Sequence, residues 1–189
     1  MPVPPTPVPP TPVPPAPTPS GQKLKPAAFV ATFGPSARAS QAKHGVPALV
    51  TLGQAALESG WGKSAPRFNF FGIKARASDP ESTRQLLRTR EVMSRPDAKF
   101  PEVISVTPRA DGKYDYVVKD WFRAYPDAAT AFDAHGAFLV NNKRYAKAFN
   151  FKDDPYAFAD EVARAGYATG PDYASQLKAV MRMIEKAGG

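Results

Sequence analysis

The stretch AALESGWGKSA, residues 55–65, contains the end of a helix, a glycine stop and the first carboxylate of the chain. Pro47 predicts the start of that helix and Gly60 its end. No Asp or Glu precedes Glu58, and residues 45–57 carry no charge at all. An outer helix face in so basic a protein would normally carry Lys or Arg. We therefore expect both faces of this helix to be covered, one of them as the floor of a groove.

Glu58 would lie at the C-terminal end of this mostly buried helix. Burial and the negative end of the helix dipole both oppose ionisation, so both would raise the pKa of its carboxyl group. A carboxyl group in that state is suited to act as a general acid. On periodicity alone, a solvated residue at a helix end is the simpler interpretation.

The segments on either side predict a mainly helical domain with a small β insertion. Proline or aspartate at the start and glycine at the end are typical of helix boundaries. By this criterion, further helices run from Pro26 toward Gly45, from Asp127, from Asp154-Pro155 to Gly166, and from Pro171. Between them, residues 103–106 and 114–118 flank the turn dipeptide at 111–112 and predict a hairpin, with a candidate strand at 86–93. The fold class is therefore α+β, with a β lobe at about 84–125 and a cleft between the lobes as the expected site.

Composition excludes several kinds of site. The chain has 189 residues, no cysteine, 2 histidines and a formal net charge of +8. Without cysteine there is no disulfide scaffold, thiolate zinc site or cysteine nucleophile, and we expect no cofactor and no metal. The basic residues are dispersed and carry no recognition motif, which argues against nucleic acid as a partner.

The N-terminal segment is a proline repeat. Of 22 prolines, 11 fall in residues 2–19, where PVPPT recurs with a period of five. Proline excludes helix and inner strand, so the repeat predicts a polyproline II rod of about 3.1 Å per residue, acting as a spacer. A ligand for a proline-recognising domain is the alternative. We place a tail at 1–20 and one domain at 21–189, and we expect neither a signal peptide nor a membrane span.

Five blocks in order carry a family resemblance. They are AALESGWGKSA (55–65), NFFGIKA (69–75), DWFRAYPDA (120–128), NNKRYAKAF (141–149) and AGYATGPDYASQL (165–177). Together they resemble glycoside hydrolase family 73, the β-N-acetylglucosaminidases of the lysozyme-like superfamily. The resemblance implies cleavage of the β-1,4 bond between N-acetylglucosamine and N-acetylmuramic acid in peptidoglycan. It also implies a monomer that acts on glycan strands in the periplasm or cell wall, where the +8 charge suits anionic polymers.

The same resemblance suggests catalytic residues. It implies that Glu58 is the general acid, that Glu91 is the second carboxylate, and that Tyr167 lies in the cleft near the acid. Glu91 could instead be a surface residue paired with Arg88 or Arg90. The second role could also belong to Glu102 or to the 2-acetamido group of the substrate.

Aromatic and amide side chains near the acid are candidates for substrate contact. We expect Trp61, Asn69 and Phe70 to bind the sugar, and Phe71, His135 and Tyr173 to be core residues. Two other functions remain open on the same fold. One is a muramidase or lytic transglycosylase, and the other is a wall-binding or assembly module without activity.

Overall fold

A computed structural model describes residues 21–168 and 170–189, and the proline repeat lies outside them. Within these residues the chain forms five α-helices and one antiparallel sheet of three strands. In chain order they are α1 (Pro26–His44), α2 (Ala48–Ser59), β1 (Arg84–Met93), β2 (Glu102–Pro108), β3 (Tyr114–Arg123), α3 (Ala128–Asn141), α4 (Pro155–Arg164) and α5 (Tyr173–Lys186). A run of 3₁₀ turns over Lys143–Phe151 joins α3 to α4. The predicted α+β class is confirmed.

The helices begin and end where the sequence indicated. Pro26 occupies the first turn of α1, and Gly45 follows that helix in the left-handed conformation, at φ 73°. Gly60 also adopts the left-handed conformation after α2, where its N–H bonds to the carbonyl groups of Ala56 and Leu57. Left-handed glycines at this position satisfy carbonyl groups that the helix leaves free. No helix in the described part of the chain has the length and apolar character needed to cross a bilayer.

Helix α2 is enclosed by the other helices. Its Leu52 and Ala55 belong to an aromatic core beside α1 and α3, whereas Val50 belongs to a second core with α4 and α5. Thr51 and Gln54, on the face opposite Leu52, are also fully buried. The expectation that both faces of the uncharged helix are covered is therefore confirmed.

The β lobe is a sheet in the order β1-β3-β2. The predicted hairpin joins β2 to β3, and the candidate strand is β1, which pairs with β3 so that Glu91 faces Tyr116. Tyr116 and Val118 are buried on one face of the sheet, while β2 is exposed along its length. A bridge from Lys74 to Phe122 ties the lobe to the segment that follows α2.

Helix α3 crosses α1 closely at Gly136. A Cβ atom at Gly136 would lie 2.6 Å from Ser40 Oγ and 2.6 Å from His44 Cδ2. Such distances are far below van der Waals contact, so a side chain there would force the helices apart. At Gly34, within α1, an added Cβ would meet only the end of Arg38, 3.1 Å away, which can move.

We predict opposite effects for alanine at these two glycines. Gly136→Ala should lower the free energy of unfolding by about 1 to 3 kcal/mol, because overpacking outweighs the gain in helix propensity. Gly34→Ala should be neutral or stabilising by up to about 1 kcal/mol, because it removes a helical glycine without a clash. Urea denaturation of both variants is the measurement. Equal stability of the two variants would contradict the close approach.

Candidate active site

A cleft of about 980 Å³ lies between the helical body and the β lobe. Its lining comes from both parts of the fold: Glu58 at the end of α2, Lys74 in the following segment, Arg123 on β3, Phe138 on α3 and Tyr167 before α5. The two lobes thus enclose a groove with Glu58 in its wall, as the sequence predicts.

Glu58 lines this cleft with an exposed side chain. Its carboxyl group is nevertheless partly desolvated by the surrounding protein. This desolvation raises the pKa of the Glu58 carboxyl group, and a hydrogen bond with the Tyr173 hydroxyl lowers it by less. The net shift is upward, in the direction predicted from burial. The group can therefore hold a proton at a higher pH than an ordinary glutamate can.

Tyr173 supports Glu58 from the first turn of α5. It is 7% exposed, so the prediction that it is a core residue is confirmed. The buried Gln54 amide donates a hydrogen bond to its hydroxyl oxygen at 3.0 Å. Burial raises the pKa of Tyr173, which therefore stays protonated and can donate to Glu58. The contact with Glu58 was not foreseen, because the sequence places Tyr173 only on an apolar helix stripe.

Tyr167 lies beside Tyr173 and lines the cleft. The two rings stack with centroids 5.7 Å apart, and the Tyr167 hydroxyl is 3.2 Å from Nε2 of His135. His135 is fully buried and stacks on Phe71 at 3.9 Å, as expected of core residues. Burial lowers the pKa of His135 to about 3, so its ring is neutral. The structure therefore brings Tyr167 and Glu58 to the same cleft.

Glu91 belongs to a charged cluster on the β lobe. Lys74 Nζ lies 2.7 Å from Glu91 Oε1 and 2.8 Å from Asp120 Oδ2. The alternative pairing of Glu91 with Arg88 or Arg90 is wrong, because those two side chains lie on the exposed face of β1 and Glu91 on the other. Burial opposes the charge on Lys74, but the hydrogen bonds to Asp120 and Glu91 outweigh it and raise the pKa of Lys74.

Lys74, which lines the cleft, and Asp120, which binds Lys74, were not foreseen from the sequence. Both occur in the blocks that carry the family resemblance, Lys74 in NFFGIKA and Asp120 in DWFRAYPDA. That co-occurrence is the only signal the sequence offered, since the strand register that brings them together is not visible in it. Glu102, the other candidate, pairs at 2.8 Å with Lys119 on an exposed strand away from Lys74.

Three residues predicted to contact the sugar are buried in the structure. Phe70 is 1% exposed and Trp61 is 7% exposed, and both pack edge-on against Phe29 in the aromatic core. Asn69 is 4% exposed, and its amide closes a turn with the backbone of Ile73 through two hydrogen bonds of 3.0 Å. The structure thus gives these side chains structural roles, because burial leaves no ring face or amide free for a sugar.

Comparison with known families agrees with this architecture. The glucosaminidase family model, described as mannosyl-glycoprotein endo-β-N-acetylglucosaminidase, matches residues 34–186. The chain belongs to this glucosaminidase family. The match covers both lobes and the whole cleft.

The chain is similar to several known proteins. It is 33% identical over 165 residues to peptidoglycan hydrolase FlgJ of Pseudomonas aeruginosa, which covers 83% of this chain and 36% of that protein. A peptidoglycan hydrolase structure from Sphingomonas sp. A1 superposes with a TM-score of 0.65 at 31% identity, over 85% of this chain and 97% of the other. The glycoside hydrolase domain of Salmonella typhimurium FlgJ superposes with a TM-score of 0.60 at 29% identity, over 87% and 91%. The chain thus spans only about a third of the Pseudomonas relative but nearly all of these solved domains.

We predict that Tyr173→Phe raises the pKa of Glu58 further. The Tyr173 hydroxyl stabilises the carboxylate, so its removal leaves desolvation without that opposing effect. A carbon-detected NMR titration of the Glu58 carboxyl group measures the shift directly. Tyr145→Phe is the control, because Tyr145 lines the same cleft but has no part in the Glu58 shift. An unchanged or lower pKa in Tyr173→Phe would refute this account of the site.

Proposed function

We propose that this glucosaminidase hydrolyses the β-1,4 bond between N-acetylglucosamine and N-acetylmuramic acid in peptidoglycan. The observation that carries the proposal is a carboxyl group of raised pKa, Glu58, in the wall of a cleft that Lys74 also lines. Lys74 in turn binds the two carboxylates of the β lobe, Glu91 and Asp120. Family membership supports the glycosidic chemistry, and the related FlgJ proteins are described as peptidoglycan hydrolases. We place its action outside the cytoplasm, on glycan strands of the wall, by a single copy of the chain.

Glu58 serves as the general acid in this scheme. Cleavage needs a proton on the glycosidic oxygen as its bond to the anomeric carbon breaks. The proton moves from the Glu58 carboxyl group to that oxygen, which leaves as a sugar hydroxyl. The raised pKa of Glu58 favours this proton being present at the start of the reaction.

Glu91 is our candidate for the second carboxylate. The anomeric carbon becomes electron-poor as the bond breaks and needs a negative or nucleophilic group near its other face. Glu91 lies on the β lobe and is fixed by Lys74, which itself lines the cleft. Asp120 shares the same ammonium group, which makes it the natural comparison.

The cleft also suits an anionic strand. Four basic residues line it, Lys74, Arg76, Arg123 and Lys143, and Glu58 is the acidic residue among its described lining. Lys74 and Arg123 are paired with carboxylates, whereas Arg76 and Lys143 form no salt bridge with a described residue. N-acetylmuramic acid carries a lactyl group that ends in a carboxylate or in a peptide with acidic groups. Positive side chains around the cleft would attract such a strand and hold it along the groove.

We predict that peptidoglycan digestion exposes new N-acetylglucosamine ends. The products are reduced and identified by mass spectrometry, and N-acetylglucosaminitol is the expected end group. N-acetylmuramitol would instead indicate a muramidase, and an anhydro-muramic end would indicate a lytic transglycosylase. A folded protein that releases no products would favour a wall-binding module.

We predict that Glu58→Gln lowers the turnover at least about 100-fold, since an amide cannot donate the proton. Its melting temperature should stay within about 2 °C of the wild type, because glutamine keeps the size and an oxygen acceptor for Tyr173. Turnover of soluble glycan fragments and a thermal scan are the two measurements. Wild-type turnover in this variant would remove Glu58 from the acid role.

A comparison of Glu91→Gln with Asp120→Asn separates the two carboxylates of the β lobe. Each variant removes one charged partner of Lys74, so the change in local charge is matched. We predict at least about a 50-fold loss of turnover for Glu91→Gln and less than about 5-fold for Asp120→Asn. The reverse order would move the role to Asp120. Mild effects in both would assign it to the acetamido group of the substrate.

A further inference from the structure

One ring nitrogen of His135 contacts Tyr167 of the site, and the other has no hydrogen-bond partner among the residues that the structure describes. Nε2 lies 3.2 Å from the Tyr167 hydroxyl. Nδ1 is buried and makes no hydrogen bond to any described residue. The ring is fixed in this orientation because it stacks on Phe71 with an interplanar angle of 16°.

The unpartnered nitrogen determines the tautomer of the ring. A neutral imidazole carries one N–H and one lone pair. Burial keeps this ring neutral, with a pKa of about 3. If the proton were on Nδ1, a fully buried N–H would lack an acceptor, which proteins rarely tolerate. The proton is therefore on Nε2, and this N–H donates to the oxygen of Tyr167.

That donation fixes what the Tyr167 hydroxyl can do. A phenol has one proton, and its oxygen here accepts the hydrogen bond from Nε2. The Tyr167 proton must therefore point away from His135, and Tyr167 lines the cleft. The Tyr167 proton is thus free to be donated toward the cleft.

The neighbouring tyrosine is held in the same way. Gln54 donates to the oxygen of Tyr173 at 3.0 Å, and Tyr173 in turn stabilises the Glu58 carboxylate by hydrogen bonding. Two stacked phenols, 5.7 Å apart, thus each receive a hydrogen bond from a fully buried side chain. Because its oxygen accepts from Gln54, Tyr173 can direct its proton toward Glu58, whose pKa it lowers, and Tyr167 can serve a different acceptor.

We propose that His135 is a positioning residue, which orients the Tyr167 hydroxyl to donate to an oxygen of the N-acetylated glycan bound beside Glu58. This inference rests on the proposed function for the identity of the glycan. The acceptor is an uncharged oxygen of the reacting sugar, for which the carbonyl of the 2-acetamido group is the strongest candidate in such a strand. His135 itself has no access to the cleft and acts only through Tyr167.

A double-mutant cycle with a matched pair of His135 variants tests the proposal. His135→Phe keeps an aromatic ring on Phe71 but loses the donor, whereas His135→Gln keeps an N–H near the position of Nε2. We expect His135→Phe to lower kcat on soluble peptidoglycan fragments about 10-fold, and His135→Gln to stay within about 3-fold of the wild type. In a Tyr167→Phe background, His135→Phe should change kcat by less than about 2-fold, because there is no hydroxyl left to orient.

The result that would overturn the proposal is an equal loss from His135→Phe in both backgrounds, since a packing defect does not depend on the Tyr167 hydroxyl. Equal losses in His135→Phe and His135→Gln would overturn it as well. A ¹⁵N–¹H NMR spectrum of the wild-type imidazole ring gives a test that needs no activity and no variant. A proton on Nε2 is expected, and a proton on Nδ1 would refute the inference.

Failure of the function itself would look different. If the wild type releases no sugar products, the proposed hydrolysis fails, and the same cycle is then measured on the Kd for those fragments. In that measurement too, the loss of affinity caused by His135→Phe should vanish in the Tyr167→Phe background. A loss of affinity that is unaffected by Tyr167→Phe, or no loss at all, would overturn the positioning role.

Discussion

The enclosure of α2 is the constraint on which the rest of the structure depends. A helix buried on every side can carry a carboxylate only where the enclosure stops, and Glu58 is in its last turn. The left-handed Gly60 then turns the chain back so that Trp61 fills the aromatic core. The acid is thus held by a rigid helix whose position is set by apolar packing, while its own side chain opens into the cleft.

Around this fixed acid, the helical body supplies neutral donors and the β lobe supplies charges. Tyr167 and Tyr173 lie on the helical side, and burial keeps both protonated. Glu91, Asp120 and Lys74 lie on the other side as a compact ionic group. Under the proposed function, the helical side would donate the proton and the ionic group would stabilise the positive charge that develops on the sugar.

Most of the fold could be predicted from the sequence because its signals are local. Proline and glycine mark the helix boundaries, and the uncharged run before Glu58 indicates a helix covered on both faces. The sugar contacts could not be predicted in this way. Trp61 and Phe70 are aromatic residues close to Glu58 in sequence, but the segment between α2 and the β lobe directs both rings into the core. Closeness to Glu58 in sequence does not determine whether an aromatic ring faces the core or the cleft.

The contacts within the charged cluster of Lys74, Glu91 and Asp120 could not be predicted from the sequence either. Whether Glu91 meets Arg90 or Lys74 depends on which face of β1 it occupies and on how the segment after α2 crosses the lobe. Both depend on how distant segments pair in the sheet, and no local sequence pattern indicates that pairing. The family blocks contained Lys74 and Asp120 but gave no reason to connect them with each other or with Glu91.

The close crossing of α1 and α3 at Gly136 also has an evolutionary consequence. Gly136 is adjacent to His135, whose imidazole contacts the Tyr167 hydroxyl from the same helix. Any larger residue at 136 would displace α3 and, with it, the donor to the tyrosine. Positions 135 and 136 are therefore expected to vary together among relatives, the small residue persisting where the buried histidine is kept and relaxing where another side chain takes its place.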